Sequence, residues 1–261
     1  MYHDISLGQY IPVQSTLHKL DPRSKIAATS ILVMAAFMAD FPEQVSLLLL
    51  LVAVLIWVSR VSLRDYLKAL RSFLFIIIIT ALMQMFFTGG ENLLNLRFIT
   101  VSFEGVLAAA SFTVRFVIIL LAVRILTATT TPMAMTRGLE KVLEPFKRMG
   151  FPVHELVMIM TISLRFIPLY IEEAGRIRKA QICRGADYRE GPLVKRAIKL
   201  TSFLVPLFRI SFQRAGDLAQ AMEARAYRGG EGRTHLYRLQ MRLIDYLYIL
   251  LIAAISVIGL Y

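Results

Sequence analysis

Two arginines occur in nearly the same short motif, 41 residues apart. Each lies between two small residues, each follows a long predicted helix, and each has Ala-Gln a few residues upstream. The first motif is Cys183-Arg184-Gly185 and the second is Ala224-Arg225-Ala226. Small neighbours would let a helix end approach another backbone closely and project the guanidinium into a pocket. The pair is therefore typical of docking to a partner that has two similar acidic grooves.

A single arginine at a helix end also has a purely structural explanation. A cation complements the negative end of the helix dipole and the last carbonyl groups. Repetition of the motif on two long basic helices favours docking over capping alone.

The other reactive side chains form no recognisable active site. The four histidines are scattered, the single cysteine excludes an intrachain disulfide, and no phosphate-binding glycine loop is present. The neighbouring carboxylates Glu172 and Glu173 are explained by surface charge balanced by Arg176, one turn on. We therefore expect a non-catalytic chain that binds no metal or cofactor of its own.

The composition is that of a membrane protein. Hydrophobic residues make up 57% of the chain, and 30 lysines and arginines face 18 acids, with a mean hydropathy of +0.61. Nucleic-acid binding would also explain the basic excess, but the apolar runs are too long for a soluble basic domain. No nucleic-acid partner is expected, whereas membrane lipid is.

Five apolar runs predict five transmembrane helices, at 26–39, 44–59, 72–90, 105–127 and 246–261. A span needs about 20 apolar residues, and snorkelling basic residues can extend the shorter runs. The N-terminal segment and the second loop are basic, whereas the first and third loops are not. The positive-inside rule therefore places the N-terminus in the cytoplasm and, with five spans, the C-terminus outside.

A basic region at 129–242 separates four spans within 1–128 from the last span at 243–261. Glycines and prolines divide it into three predicted helices, at about 132–149, 153–187 and 192–229. The second and third resemble poor transmembrane segments, but Arg165 and Arg209 interrupt their apolar stretches. We interpret them as amphipathic helices at the cytoplasmic face, with two further spans as the alternative. The predicted class is an all-α integral membrane protein with about five transmembrane helices and long cytoplasmic coupling helices.

At the N-terminus, residues 15–25 read "STLHKLDPRSK". This is similar to the Leu-His-x-Leu-Asp-Pro-Arg-x-Lys signature of the T component of energy-coupling factor (ECF) transporters, prokaryotic importers of vitamins and trace-metal ions. The resemblance covers nearly the whole chain, including the paired motifs and the order of spans. It implies a scaffold in the cytoplasmic membrane that joins two ABC-type ATPases to a substrate-binding S component. ATP and Mg²⁺ would be bound by those ATPases.

The same resemblance gives the arginines their roles. Arg184 and Arg225 would each enter the groove of one ATPase and transmit its closure to the membrane. Two positions differ from the family pattern, because Cys183 replaces the usual alanine and Ala226 replaces a frequent glycine. Both replacements are small, so docking is expected to survive.

Methionines are concentrated in the basic region, where seven of the twelve lie between residues 127 and 245. Methionine is flexible and common on surfaces that accept several partners. We predict that one such surface binds interchangeable S components, with core packing as the equal alternative. Its residues are Met135, Leu139, Val142, Leu143, Phe146, Met158 and Met160.

Two other functions compete with a coupling subunit. A membrane-embedded enzyme of lipid metabolism would need an acidic or histidine cluster at the membrane surface. A self-sufficient permease or channel would need polar or acidic residues inside its spans. The sequence offers neither, which favours the coupling subunit.

Overall fold

The structure is a computed structural model, and it confirms the predicted all-α class. It describes residues 10–39, 42–87, 92–96, 99–186, 192–229 and 239–259. A 3₁₀-helix, Glu144–Met149, directly follows the sixth helix. The α-helices are α1 (Thr16–Lys19), α2 (Pro22–Met38), α3 (Pro42–Ser59), α4 (Leu63–Phe87), α5 (Phe103–Thr129), α6 (Pro132–Leu143), α7 (Val153–Cys183), α8 (Leu193–Ala224) and α9 (Leu243–Ile258).

A short β-hairpin joins α4 to α5, where the sequence predicted only a loop. Its strands are β1 (Asn92–Leu96) and β2 (Ile99–Ser102), paired antiparallel with an irregularity near the start of β1. Paired strands therefore form part of the connection between these two long apolar helices.

In the part of the chain that the structure describes, three helices, α4, α5 and α7, are long and apolar enough to cross a membrane, and α3 and α9 are apolar but shorter. The five predicted spans correspond to α2, α3, α4, α5 and α9. The sequence placed α7 at the cytoplasmic face, yet its length and composition also suit a crossing. The position of α7 at that face stays a prediction.

The chain divides into two compact units, one made of residues 1–142 and 237–261 and the other of residues 143–236. Nearly all of α6, which the sequence groups with the basic helices, belongs to the first unit. Its Gly138 explains the packing, because a Cβ there would lie 3.0 Å from Cβ of Pro22. The missing side chain lets α6 lie directly on the first turn of α2.

The core of the first unit lies between α2, α3, α5 and α9. Ala28, Leu32, Val52, Ile118 and Ile252 are almost completely buried there. Small residues on α2 let its neighbours approach closely, which is how helices gain packing energy where lipid removes the hydrophobic driving force.

Arg115 of α5 interacts with the end of α2. Its guanidinium donates hydrogen bonds to the carbonyl oxygens of Phe37 (3.5 Å) and Ala39. The last carbonyls of a helix lack intrahelical partners and carry partial negative charge. The arginine that interrupts the fourth apolar run therefore satisfies the C-terminus of the first predicted span.

Candidate docking site

The first arginine motif forms the C-terminal cap of α7. The N–H of Ala186 donates to the carbonyl of Gln181 (3.0 Å), and the N–H of Gly185 donates to that of Ile182 (3.0 Å). These two bonds define a Schellman motif with Arg184 as the C-cap residue. Gly185 has a φ of +83°, a left-handed conformation that glycine adopts without a Cβ clash.

The second motif forms the same cap at the end of α8. The N–H of Tyr227 donates to the carbonyl of Met222 (3.0 Å), and that of Ala226 donates to Glu223 (2.8 Å). Arg225 is again the C-cap residue. Here the left-handed position is held by an alanine with a φ of +53°, which costs about 1 kcal/mol relative to glycine. The likeness of the two sequence motifs is therefore a likeness of backbone geometry.

Neither arginine side chain takes part in its cap. The bonds that close both helix ends come from main-chain N–H groups. Arg184 and Arg225 are exposed, and within the described residues neither guanidinium has an ion pair or a side-chain hydrogen bond. The capping explanation accounts for the backbone at these positions but not for the choice of arginine.

The two arginines lie at opposite ends of a helix pair. Glu173 of α7 contacts Arg214 of α8 (3.3 Å), and the Tyr227 hydroxyl beyond α8 donates to Sδ of Met158 near the start of α7 (2.9 Å). These contacts show that α7 and α8 run antiparallel. Arg225 therefore lies near the start of α7, roughly 40 Å from Arg184 at the 1.5 Å rise of each residue.

The residues of the predicted S-component surface are divided between the two compact units. Met135, Leu139 and Val142 belong to the first unit, and the other four belong to the second. Val142, Phe146 and Met160 are exposed. Met158 is half-buried and accepts the Tyr227 hydrogen bond, so its thioether packs within the helix pair.

Residues of the N-terminal signature hydrogen-bond the start of α2 to α9. Oδ1 of Asp245 accepts hydrogen bonds from the N–H of Asp21 (2.7 Å) and the hydroxyl of Ser24 (3.2 Å). Its other oxygen accepts from the N–H of Arg242 at the start of α9 (2.7 Å). One buried carboxylate therefore satisfies backbone donors at the N-termini of both α2 and α9.

The lysine of the signature serves the ends of two further helices. Nζ of Lys25, which is 4% exposed, donates to the carbonyl of Thr129 at the end of α5 (3.0 Å) and to that of His18 in α1 (3.3 Å). The carboxylates of Asp245 and Asp21 attract the ammonium group. The hydrogen bonds to two helix-end carbonyls offset part of the cost of burying this charge.

The signature histidine stabilises the turn before α2. Nδ1 of His18 is hydrogen-bonded to Oγ of Ser15 (2.7 Å), and Nε2 is hydrogen-bonded to the carbonyl of Ile11 (3.0 Å). Burial lowers the pKa of His18 below its usual 6.5, and the nearby Lys25 charge lowers it further. The neutral imidazole therefore links Ser15 to the backbone of Ile11 through its two ring nitrogens.

The sequence alone did not reveal the role of Asp245, which lies directly before the last apolar run at 246–261. A usable signal was present, because an acid in the first turn of an apolar helix often binds exposed backbone N–H groups. Within the residues that the structure describes, no cluster of three His, Cys, Asp or Glu side chains could hold a metal ion.

The fold defines a multi-pass α-helical membrane protein with a long antiparallel pair of basic helices. The family of cobalt transport proteins, CbiQ, matches residues 13–236. The chain is 46% identical over 256 residues to the energy-coupling factor transporter transmembrane protein EcfT of Thermanaerovibrio acidaminovorans, covering 98% of this chain and 95% of the relative. It is 42% identical to the EcfT proteins of Clostridium kluyveri (95% and 92% covered) and Acidaminococcus fermentans (99% and 96% covered).

The chain belongs to this family, the transmembrane T components of ECF transporters. The resemblance based on the N-terminal signature and the paired motifs is thereby confirmed. The protein is a multi-pass component of the cell membrane and part of a multi-subunit transporter.

Proposed function

We propose that this T component couples ATP hydrolysis by two cytoplasmic ABC-type ATPases to uptake of a vitamin or another micronutrient through a substrate-binding S component. The chain itself is non-catalytic in this scheme. ATP and Mg²⁺ are bound by the ATPases, and the nutrient is bound by the S component.

The observation that carries the proposal is the pair of identically capped helix ends. Each cap fixes the backbone that presents Arg184 or Arg225, while the guanidinium stays exposed and without a partner among the described residues. An exposed guanidinium without a partner suits an acidic groove. Its N–H groups can form two parallel hydrogen bonds to one carboxylate, and such charged pairs are stronger than neutral hydrogen bonds.

The separation of the two ends supports two ATPases rather than one. At roughly 40 Å along α7, each arginine has room for its own partner domain. The ion pair between Glu173 and Arg214 joins the two helices. Movement of one docked end is therefore passed to the other helix.

For the S component, the proposed contact surface uses the exposed apolar residues of the methionine-rich region. Val142, Phe146 and Met160 are each exposed by two fifths or more. Exposed apolar side chains of this kind are candidates for partner contact, with Val142 contributing from the first compact unit and Phe146 and Met160 from the second. Met135 and Leu139 of the first unit and Leu143 of the second are partly covered.

Co-purification tests the proposal. Wild-type chain carrying an affinity tag should retain two ATPase subunits and a small membrane protein that binds the nutrient. The double substitution Arg184→Ala with Arg225→Ala should lose the ATPases. The matched control removes Arg178 and Arg228, exposed arginines near the same helix ends but outside the C-cap positions. Full ATPase retention by the double variant would overturn the proposal.

A further inference from the structure

A cavity of about 600 Å³ lies where the N-terminal segment meets the end of α3. Its charged lining residues are Lys19, from α1, and Arg60, which directly follows α3, and no carboxylate among the described residues lines it. The volume lies within the roughly 300–1,000 Å³ typical of small-ligand sites. The other lining residues are Gln14, Ser15, Thr16, Trp57 and Val58.

The two cations of this cavity are not neutralised. Both side chains are exposed, and within the described part of the chain neither Lys19 nor Arg60 has an acidic partner. Two like charges that line one cavity repel each other, and an anion bound between them removes that repulsion. This charge would favour a negatively charged ligand.

The backbone that carries Arg60 is held in place by buried groups. Arg60 has a φ of +56°, a left-handed conformation that is uncommon for a side chain of this kind. Oγ of Ser59 donates to the carbonyl of Ile56 (2.7 Å), accepts from the N–H of Val61 (3.2 Å) and pairs with the Tyr66 hydroxyl (2.9 Å). Strained residues fixed in this way occur preferentially at functional sites.

The position of Trp57 suits a cavity at the edge of the membrane. Trp57 lies in the last turn of the apolar helix α3 and is 81% exposed. Val54 and Leu50, about one and two turns earlier, are also exposed apolar residues that suit contact with lipid. Tryptophan prefers the depth of lipid headgroups, because its ring is apolar and its N–H is polar.

We propose that this cavity binds the phosphate headgroup of an anionic phospholipid from the leaflet that faces the basic loops. Lys19 and Arg60 contact the phosphate oxygens, and Gln14 and Thr16 hydrogen-bond to the polar part of the headgroup. Trp57 and Val58 contact the first methylenes of the acyl chains. Basic pockets beside membrane helices recognise anionic headgroups by this combination of charge and apolar wall.

The only tryptophan of the chain, Trp57, reports directly on this cavity. The full chain is reconstituted in phosphatidylcholine nanodiscs containing a fixed fraction of lipid brominated near the top of its acyl chains. Brominated phosphatidylglycerol should quench Trp57 fluorescence more strongly than brominated phosphatidylcholine, because the anionic lipid is enriched in the cavity. Unlabelled phosphatidylglycerol should relieve that quenching.

Charge-removing variants separate this site from general attraction to a basic surface. Arg60→Gln and Lys19→Gln should each lower the preference for phosphatidylglycerol about fivefold. Arg64→Gln removes an equal charge four residues away, at an exposed position that does not line the cavity, and should keep the preference.

Three results would overturn the proposal. The first is equal quenching by the two brominated lipids in the wild-type chain. The second is an equal loss of preference in Arg64→Gln and Arg60→Gln. The third is a saturable change of Trp57 fluorescence on addition of inorganic phosphate to nanodiscs of pure phosphatidylcholine, with the same change in nanodiscs that also contain phosphatidylglycerol. That result would assign the cavity to free phosphate.

Discussion

Oδ1 of Asp245 lies 2.7 Å from the backbone nitrogen of Asp21, although 224 residues separate them. The same carboxylate caps the start of its own helix α9 through the N–H of Arg242. It also balances the charge of buried Lys25. The first and last helices of the membrane unit are therefore joined by one side chain.

Asp245→Asn should destabilise the protein strongly. The amide keeps the shape of the side chain but leaves the Lys25 ammonium with less compensating charge. Loss of one partner of a buried charge network typically lowers the free energy of unfolding by about 3 kcal/mol. Thermal unfolding in detergent measures the change, and Asp217→Asn, an exposed aspartate on α8, is the control. Equal melting temperatures for the two variants would show that the Asp245 carboxylate does not stabilise the protein.

The two helix caps predict stability changes of opposite sign. Ala226→Gly should raise the free energy of unfolding by about 0.5–1 kcal/mol, because glycine relieves the left-handed strain. Gly185→Ala should lower it by about 1 kcal/mol, since no atom lies within 4 Å of the added Cβ and only the strain remains.

Gly175→Ala is the matched control for the cap variants. It makes the same substitution in open space inside α7, where alanine is the better helix former. It should therefore stabilise the protein. Destabilisation by both Gly→Ala changes would mean that the cap conformation is not the cause.

The helix ends show which features the sequence could predict. The order of helices followed from apolar runs and breakers, but α8 was extended to about residue 229 because Gly229-Gly230 is the stronger stop signal. The helix ends at Ala224, since Ala226 adopts a conformation that its residue type does not favour. Likewise, Pro145 ends α6 early and leaves a 3₁₀-helix to Met149, where one helix was predicted.

Long-range partners were beyond sequence reasoning for a different reason. The paired arginines could be singled out because their motif repeats, and the signature could be recognised as a motif. Which groups Lys25 and Asp245 bind depends on how four helix ends meet, and no local pattern encodes that meeting. The same holds for Arg115, whose role at the end of α2 comes from packing between distant segments.

A reporter fused after Tyr261 should be located outside the cell. Five spans with a cytoplasmic N-terminus give this result, with α7 and α8 at the cytoplasmic face. Paired reporters active on only one side of the membrane provide the measurement, and a fusion after Ser62, in the basic second loop, is the cytoplasmic control. A cytoplasmic C-terminus would indicate an even number of spans, as expected if α7 alone also crosses. Two further spans would leave the C-terminus outside, and a reporter fused after Glu190, between α7 and α8, would then also be located outside.

Cys183 should be protected from thiol reagents when the ATPases are bound. It is the only cysteine, is exposed and directly precedes Arg184. If this helix end enters an ATPase groove, a maleimide should label it quickly in the isolated chain and slowly in the complex. The Arg184→Ala variant should lose that protection. Equal labelling rates with and without ATPases would argue against docking at this end of α7.

Replacing either Arg184 or Arg225 alone should weaken coupling but leave part of the complex assembled. Truncating one partner of a buried interfacial charge pair typically costs 2–5 kcal/mol at that contact. The second end still holds its ATPase nearby at high effective concentration, because both ends belong to one scaffold. Arg184→Ala and Arg225→Ala should each reduce ATP-driven uptake and retain part of the ATPase, whereas the double variant should show no uptake.

Both caps rest on main-chain bonds, so the melting temperature of every variant should stay close to that of the wild type. Wild-type uptake by the double variant would remove the coupling role, and a large loss of stability in the single variants would return the arginines to a structural one.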